Sequence, residues 1–286
     1  MVVTSTVLDG LLCLLLISAA VVTATTATPR EPVGEGRASD VASTLTTTTA
    51  SVNYTLTPRF ETTRVDAPND ATFDRTAHGT LAELLARAAV ARITVDGERL
   101  SYARDGFGRA VVRAVRGAIQ ANHTRITAVW QPYPESSVVG RLVVGDRPPP
   151  DRPVHAAAVA VPSGFPTRER AIRRAARNRE VDGVADTAAD GIVAGLFPPT
   201  RTRIAASGTT PSAALIRHRY HRTAHRIGSA PPTDLGDGGV EAANERLETA
   251  LAERVARDLR TRNTSATAAA DAARLGRVRI VVRTWP

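Results

Sequence analysis

The sequence predicts an α+β protein, in which an N-terminal transmembrane helix and a disordered threonine-rich linker precede a mixed sheet packed with several helices. Three observations support this class. An unbroken apolar run occupies residues 10–22, a stretch dominated by Thr, Ser, Pro and Gly follows it, and beyond Thr80 the apolar residues alternate between helical and strand spacing. The predicted units are an anchor at 1–24, a linker at 25–75, and an α+β domain at 76–286 with an irregular Pro/Gly-rich insert at 198–238.

The N-terminal segment, MVVTSTVLDGLLCLLLISAAVVTA, indicates where the protein is placed. Its apolar run is shorter than the roughly 20 residues that cross a bilayer upright, but residues 2–24 as a whole are mostly apolar and long enough. No basic residue precedes Arg30, so the basic region of a secretory signal is missing, although Val22-Thr23-Ala24 would serve as a cleavage site. We expect an uncleaved single-pass anchor in the cell membrane; a cleaved signal and a buried core helix are the alternatives.

The linker prediction for residues 25–75 follows from composition, because such a stretch has too little apolar surface to offset its ordering entropy. Residues 51–57 alternate and could add one strand. Three sites match the N-glycosylation acceptor pattern and weakly support an extracytoplasmic location: Asn53, Asn122 and Asn263.

The domain begins with a capping box, in which Thr80 and Glu83 satisfy orphan amides at the start of a helix. Asp96-Gly97 between two β-prone runs predicts a hairpin. Asp105 can cap a second helix, whose expected inward residues are Phe107, Val111, Val115, Ala118 and Ile119. The later elements are expected to be strands at 125–130, 138–144 and 154–161, helices at 167–196 and 240–260, and a strand at 277–283.

The closing strand alternates, with Val278, Ile280 and Val282 inward and its arginines outward. A related pattern occurs twice, as RITAVWQP at 125–132 and RIVVRTWP at 279–286. This echo indicates either a duplicated helix-strand unit or two ordinary strands of one sheet. In both cases the helices are expected to lie on one face of the sheet.

Composition excludes several classes of chemistry. All 37 basic residues are Arg, and a chain without Lys has no phosphate-loop lysine, no Schiff base and no Ser-Lys dyad. Cys13, the one Cys, lies in the apolar run, so neither an intramolecular disulfide nor a cysteine metal cluster can form. The net charge of +9 is spread along the chain, which favours solvated mixed faces over a nucleic-acid site. The sequence predicts no cofactor.

The segment RHRYHRTAHR at 217–226 is the strongest candidate for a special site. On a helix, three histidines would share one side and are weak candidates for zinc ligands: His218, His221 and His225. The interleaved arginines oppose a dication, however, and a basic amphipathic helix at 213–227 is the simpler interpretation. Its candidate contacts to a membrane or a partner are Arg217, Arg219, Tyr220, Arg222 and Arg226; a surface helix without special role is the alternative.

No catalytic residues are predicted. The G-x-S-x-G elbow of hydrolases is absent, and Ser163 has neither an acid nor a His placed with it. Asp182 and Asp186 have the spacing of a carboxylate pair, but solvated helix acids explain them. No small-molecule substrate is identified.

Four features together resemble an uncharacterised haloarchaeal family of membrane-anchored proteins. They are the segments STVLDGLLCLLLISAAVV and WQPYPESSVVGRLVVGDRPPPDRPVHAAAVAVPSG, the lysine-free usage of Arg, Thr and Asp, and the closing strand. Such proteins are similar to accessory components encoded with archaeal type IV pilus-like or secretion machinery. The resemblance implies membrane anchoring and protein partners, and it carries over no residue role.

The sequence therefore predicts a non-enzymatic, membrane-anchored protein with most of its chain outside the cytoplasm, which serves as an accessory or structural component of a pilus-like or secretion assembly. Its expected partners are the membrane, through residues 2–24, and other proteins of the assembly, but not nucleic acid. The alternatives are a secreted or anchored hydrolase without a recognisable motif, and a module that binds membrane surfaces through the basic helix at 213–227.

Overall fold

The computed structural model describes residues 35–56, 73–119, 122–178, 180–208, 211–236 and 238–286. The predicted anchor at 1–24 lies outside these residues. Across the part of the chain that is described, no helix combines the length and the apolar character needed to cross a membrane.

The described residues form eight strands and nine helices, which confirms the α+β class. In chain order they are α1 (Glu35–Thr47), β1 (Thr49–Leu56), β2 (Phe73–Thr80), α2 (Leu81–Val90), β3 (Ile93–Val95), β4 (Glu98–Arg99), α3 (Asp105–Ile119), β5 (Thr124–Trp130), β6 (Val138–Val144), β7 (His155–Pro162), α4 (Glu169–Ala176), α5 (Val181–Leu196), α6 (Pro199–Ala206), α7 (Pro211–Ile227), α8 (Gly239–Thr261), α9 (Ala266–Ala272) and β8 (Arg277–Thr284).

A six-stranded antiparallel sheet organises the fold, in the order β4-β3-β6-β5-β8-β7. Because side chains alternate along a strand, one face collects the apolar residues, and α1 and α2 pack on that face. Its central residues are fully buried: Ile126, Ala128, Trp130, Val278, Ile280 and Val282. β5 and β8, which carry the echoed pattern, are neighbours in this sheet. Strands β1 and β2 form a separate hairpin.

The predicted capping box at Thr80 and the predicted turn at Asp96-Gly97 are confirmed. The Thr80 main-chain N–H donates to Glu83 Oε2 at 2.8 Å, and the Glu83 N–H donates to Thr80 Oγ1 at 3.2 Å, as in a capping box. Asp96 and Gly97 both adopt positive φ, as a two-residue hairpin turn of this type requires. In α3 the inward side is as expected except at Ala118, which is exposed.

The linker prediction for residues 25–75 is wrong for residues 35–56, which form α1 and β1, and for residues 73–75, which belong to β2; residues 25–34 and 57–72 lie outside the described part. α1 buries a stripe of Ala38, Ala42 and Leu45 under the sheet. Its threonine hydroxyls donate to carbonyl oxygens one turn earlier, at 2.9–3.2 Å, which satisfies them within the helix: Thr44, Thr46 and Thr47. The strand expected from residues 51–57 is confirmed as part of β1.

Two other predicted boundaries are corrected. The helix expected at 167–196 is divided into α4 and α5, because its apolar stripe of Ile172, Val184 and Ala188 would continue through position 180, which is an exposed Glu. In the insert at 198–238 the helix expected at 213–227 is confirmed as α7. The rest is not irregular throughout, because α6 also lies in it, and Pro199 stands at the first turn of α6, where its missing N–H costs nothing.

The strand expected to be buried at 154–161 is instead the edge strand β7. It pairs only with β8 among the described strands, and Ala156, Ala158 and Ala160 are exposed on the face opposite the helices. The long helix expected at 240–260 is confirmed as α8, with Leu247 and its i+4 successors buried against α5.

Candidate docking surface

No helix of the described residues covers the face of the six-stranded sheet opposite α1 and α2, and this face forms a concavity of about 780 Å³. The side chains that alternate with the buried apolar residues of β5, β6, β7 and β8 point into it. We call this surface the arginine face, because it carries Arg125, Arg141, Arg277, Arg279 and Arg283.

Strand register arranges these arginines in rows. Arg125 lies directly opposite Arg283, and Arg279 and Arg141 lie on either side of Val129. Between these two rows runs a row of small and apolar side chains: Ala158, Val281, Thr127 and Val143. Since residues on one face recur every ~6.6 Å along a strand, the two arginine rows are about 13 Å apart.

None of the five arginines makes an ion pair or a side-chain hydrogen bond within the described residues, and no Asp or Glu lines the concavity. Other arginines of this chain do pair with carboxylates, for example Arg99 with Asp105 at 2.6 Å and Arg203 with Glu241 at 2.7 Å. Like charges directly opposite each other in a sheet are destabilising. The arginine face is therefore a charged surface that is not neutralised within the described chain.

One wall of the concavity is fixed by the loop between β5 and β6. Asp258 Oδ2 of α8 accepts hydrogen bonds from the Tyr133 hydroxyl at 3.1 Å, the Ser137 N–H at 3.2 Å and the Ser137 hydroxyl at 2.6 Å. Burial raises the pKa of the Tyr133 phenol, so it stays protonated as a donor at neutral pH. The main-chain N–H of Arg274 donates to the Pro132 oxygen at 2.8 Å. These contacts give the surface a fixed shape before any partner binds.

Over residues 8–285 the sequence matches a family of unknown function, DUF7284. The chain belongs to this family. Neither the curated proteins nor the solved structures contain a match to the chain.

The basic segment of α7, which the sequence singles out, is largely engaged inside the protein. The Tyr220 ring is fully buried and stacks on Phe197 at a centroid distance of 3.9 Å, and its hydroxyl donates to Asn244 Oδ1 at 2.6 Å. Arg219 lies over the same Phe197 ring, and burial, reinforced by the neighbouring charge of Arg104, lowers the pKa of Arg219 to about 10. Tyr220 is thus a core residue and not an exposed contact.

The other arginines of α7 also have internal partners. Arg222 donates to the Arg99 main-chain oxygen at 3.4 Å, Arg226 pairs with Glu98, and Arg217 donates to the Gly208 oxygen at 3.5 Å. These side chains hold α7 to the β3–β4 hairpin and to the turn after α6. This basic segment therefore contributes mainly to packing.

The three histidines of α7 do not form a ligand set. His221 and His225 are exposed and His218 is partly buried, and nowhere in the described chain do three or more His, Cys, Asp or Glu side chains converge as metal ligands. Ser163 is buried, and its hydroxyl donates to the Leu275 oxygen at 2.8 Å. Asp182 forms an ion pair with Arg260 at 2.6 Å. The glycosylation candidates Asn53, Asn122 and Asn263 are all exposed, and their modification stays a prediction.

Sequence reasoning identified the outward arginines of β8 but not the surface that they form. The missing information is the strand order, which brings Arg125 and Arg141 next to them. The signal that could have found the surface is the shared pattern of the two echoed strands, since each places Arg on the outward side of a strand that is apolar on the other side.

Proposed function

We propose that this protein is a non-enzymatic, membrane-anchored component of a surface or secretion assembly, and that it docks an acidic protein surface on its arginine face. In this proposal residues 2–24 hold the chain in the membrane, and the domain that begins by residue 35 lies outside the cytoplasm. The single observation that carries the docking function is the set of five arginines that have no acidic neighbour among the described residues, on a sheet face that no described helix covers.

The shape and composition of the arginine face favour a protein over the other polyanions. A nucleic acid site of this kind needs aromatic side chains for base stacking, and Tyr133 at the rim is the one aromatic residue that lines the concavity. A bilayer surface is flat, and proteins that bind it insert large apolar side chains. The apolar residues here are small and recessed between arginines, and the surface is concave, which suits a convex, carboxylate-bearing partner.

The experiment is a binding titration of the full chain with poly-L-glutamate at low ionic strength. The test variant is Arg125→Gln/Arg279→Gln/Arg283→Gln. The matched control carries the same charge change at exposed helix arginines outside the concavity: Arg116→Gln, Arg201→Gln and Arg246→Gln. We expect the test variant to lose at least tenfold in affinity, roughly 1.4 kcal/mol, and the control to lose less than threefold.

Equal losses in the two variants would mean that net charge alone drives binding, and would contradict a docking function for the arginine face. Duplex DNA and vesicles of anionic lipid are titrated in parallel. If either polyanion bound more tightly than poly-L-glutamate through the same three arginines, the partner class would be wrong.

A further inference from the structure

A second charged surface lies between α5 and α8, which pack against each other along their lengths. Two shallow concavities of about 590 and 420 Å³ run between these helices. We call this surface the acidic groove, because six carboxylates line it and outnumber its two arginines, Arg257 and Arg260; the carboxylates are Asp182, Asp186, Asp190, Glu245, Glu248 and Glu253.

Several of these carboxylates are not neutralised within the described residues. Asp182 pairs with Arg260, and Asp190 pairs with Arg168 at 2.9 Å. The other four have no ion pair there: Asp186, Glu245, Glu248 and Glu253. Burial and then the charges of Asp190 and Glu245 raise the pKa of Glu248, so the groove carboxylates repel one another.

The two charged surfaces cannot neutralise each other within one copy. They are built by different elements, strands β5 to β8 for the arginine face and helices α5 and α8 for the acidic groove, and no residue lines both. Within the described residues, each copy therefore presents a cationic surface and a net anionic surface at separate places, each with charged groups that have no ion pair.

The spacings of the two surfaces are compatible. Packed helices have axes 8–10 Å apart, and β8 and β6 are two strands apart in the sheet, which is about 9.6 Å. Along α5, Asp182 and Asp190 are eight residues apart, which is ~12 Å, and along β8, Arg279 and Arg283 are four residues apart, which is ~13 Å. Two helices laid along the strands would place α5 over β8 and α8 over β6.

We propose that the acidic groove of one copy docks on the arginine face of the next, so that copies of this chain associate head to tail. This inference rests on the proposed function and names the acidic partner as a second copy. Five arginines that have no ion pair within the described residues then face four carboxylates that have none there either. Because the contact joins two different surfaces, each added copy leaves one of each free, and the association closes as a ring or grows as a filament.

The experiment is a charge exchange with the full chain in detergent at low ionic strength, followed by light scattering after size exclusion. The face variant is Arg279→Glu/Arg283→Glu, and the groove variant is Asp186→Arg/Glu253→Arg. We expect each variant alone to associate at least tenfold more weakly than the wild type. An equimolar mixture of the two is expected to associate again, because each variant supplies the surface complementary to the other's altered one.

A matched control, Arg116→Glu/Arg201→Glu, lowers the net charge by the same amount as the face variant but lies outside both surfaces. It is expected to associate as the wild type does. Circular dichroism of each variant establishes that it is folded. Association that neither exchange weakens, or folded variants whose mixture does not associate, would overturn the pairing.

Failure of this inference is distinguishable from failure of the proposed function. A wild type that stays monomeric but binds poly-L-glutamate through the arginine face would overturn the self-association and leave the docking function standing. A wild type that does neither would overturn both.

Discussion

Arg125 and Arg283 lie directly opposite each other, and we predict that replacing Arg283 with Gln stabilises the protein, whereas most substitutions destabilise. The two residues are directly opposite in neighbouring antiparallel strands, and neither has an acidic partner in the described chain. Two unit charges ~5.5 Å apart in water repel by roughly 0.8 kcal/mol, and cross-strand pairs contribute about 0.2–1 kcal/mol. We therefore expect the free energy of unfolding to rise by about 0.5–1 kcal/mol in low salt.

The assay is thermal and urea unfolding of the wild type and Arg283→Gln at low ionic strength and in 1 M salt. For a domain of this size the gain corresponds to a rise in Tm of roughly 1–4 °C. At 1 M salt the screening length is about 3 Å, so the gain should nearly disappear. The double variant with Arg125→Gln should gain little more than the single one, because the repulsion is already removed.

The control is Arg260→Gln, which removes the ion pair with Asp182 and should cost up to about 1 kcal/mol. The reasoning would be refuted if Arg283→Gln lost stability, or if its gain were the same in both salts. A loss would mean that Arg283 stabilises the sheet, and a gain that does not depend on salt would mean that charge repulsion is not its cause.

Three further predictions concern the packing that shapes the surface, and each is measured by urea unfolding. Gly140→Ala should cost about 1–3 kcal/mol or prevent folding, because the added Cβ would lie 2.5 Å from the main-chain oxygen of Ala89; no loss would contradict the close approach of α2 to β6. Tyr220→Phe should cost about 1–3 kcal/mol, since it leaves the buried Asn244 oxygen without its donor, and a neutral result would argue against the hydrogen bond between Tyr220 and Asn244. Trp130→Phe should cost about 1–2 kcal/mol through the loss of its 2.8 Å indole hydrogen bond to a main-chain oxygen, and an unchanged midpoint would argue against that bond.

Local signals predicted most of the elements. The Thr80 capping box, the Asp96-Gly97 turn and the alternation of β8 each depend on residues within a few positions of one another, so a single sequence contains them. The position of α8 followed from one uninterrupted apolar stripe for the same reason.

What could not be predicted depends on contacts between distant residues. Its threonines give α1 the composition of a linker. The helix is nevertheless stable, because its stripe of Ala38, Ala42 and Leu45 is buried against the sheet, and this contact depends on distant residues. The local pattern makes Tyr220 a candidate contact, because its partner Phe197 lies outside α7, in the connection between α5 and α6.

The arginine face is the largest omission and has the same cause. A net charge of +9 does not reveal whether the arginines are dispersed or collected. The interpretation of the charge as solvated mixed faces fails on this sheet, where strand order places Arg125 against Arg283. Net charge and residue spacing can be read from the linear sequence, whereas the density of charge on a sheet depends on which strands are neighbours.

Docking on the arginine face requires that a bound polyanion covers these arginines and leaves the others accessible. Chemical modification of arginine measures this directly. The full chain is treated with phenylglyoxal, which modifies accessible Arg, with and without poly-L-glutamate, and the modified peptides are quantified by mass spectrometry. We predict protection of Arg125, Arg279 and Arg283, with Arg116 and Arg201 modified equally in both samples. Protection spread evenly over all exposed arginines, or concentrated on α7, would contradict the account.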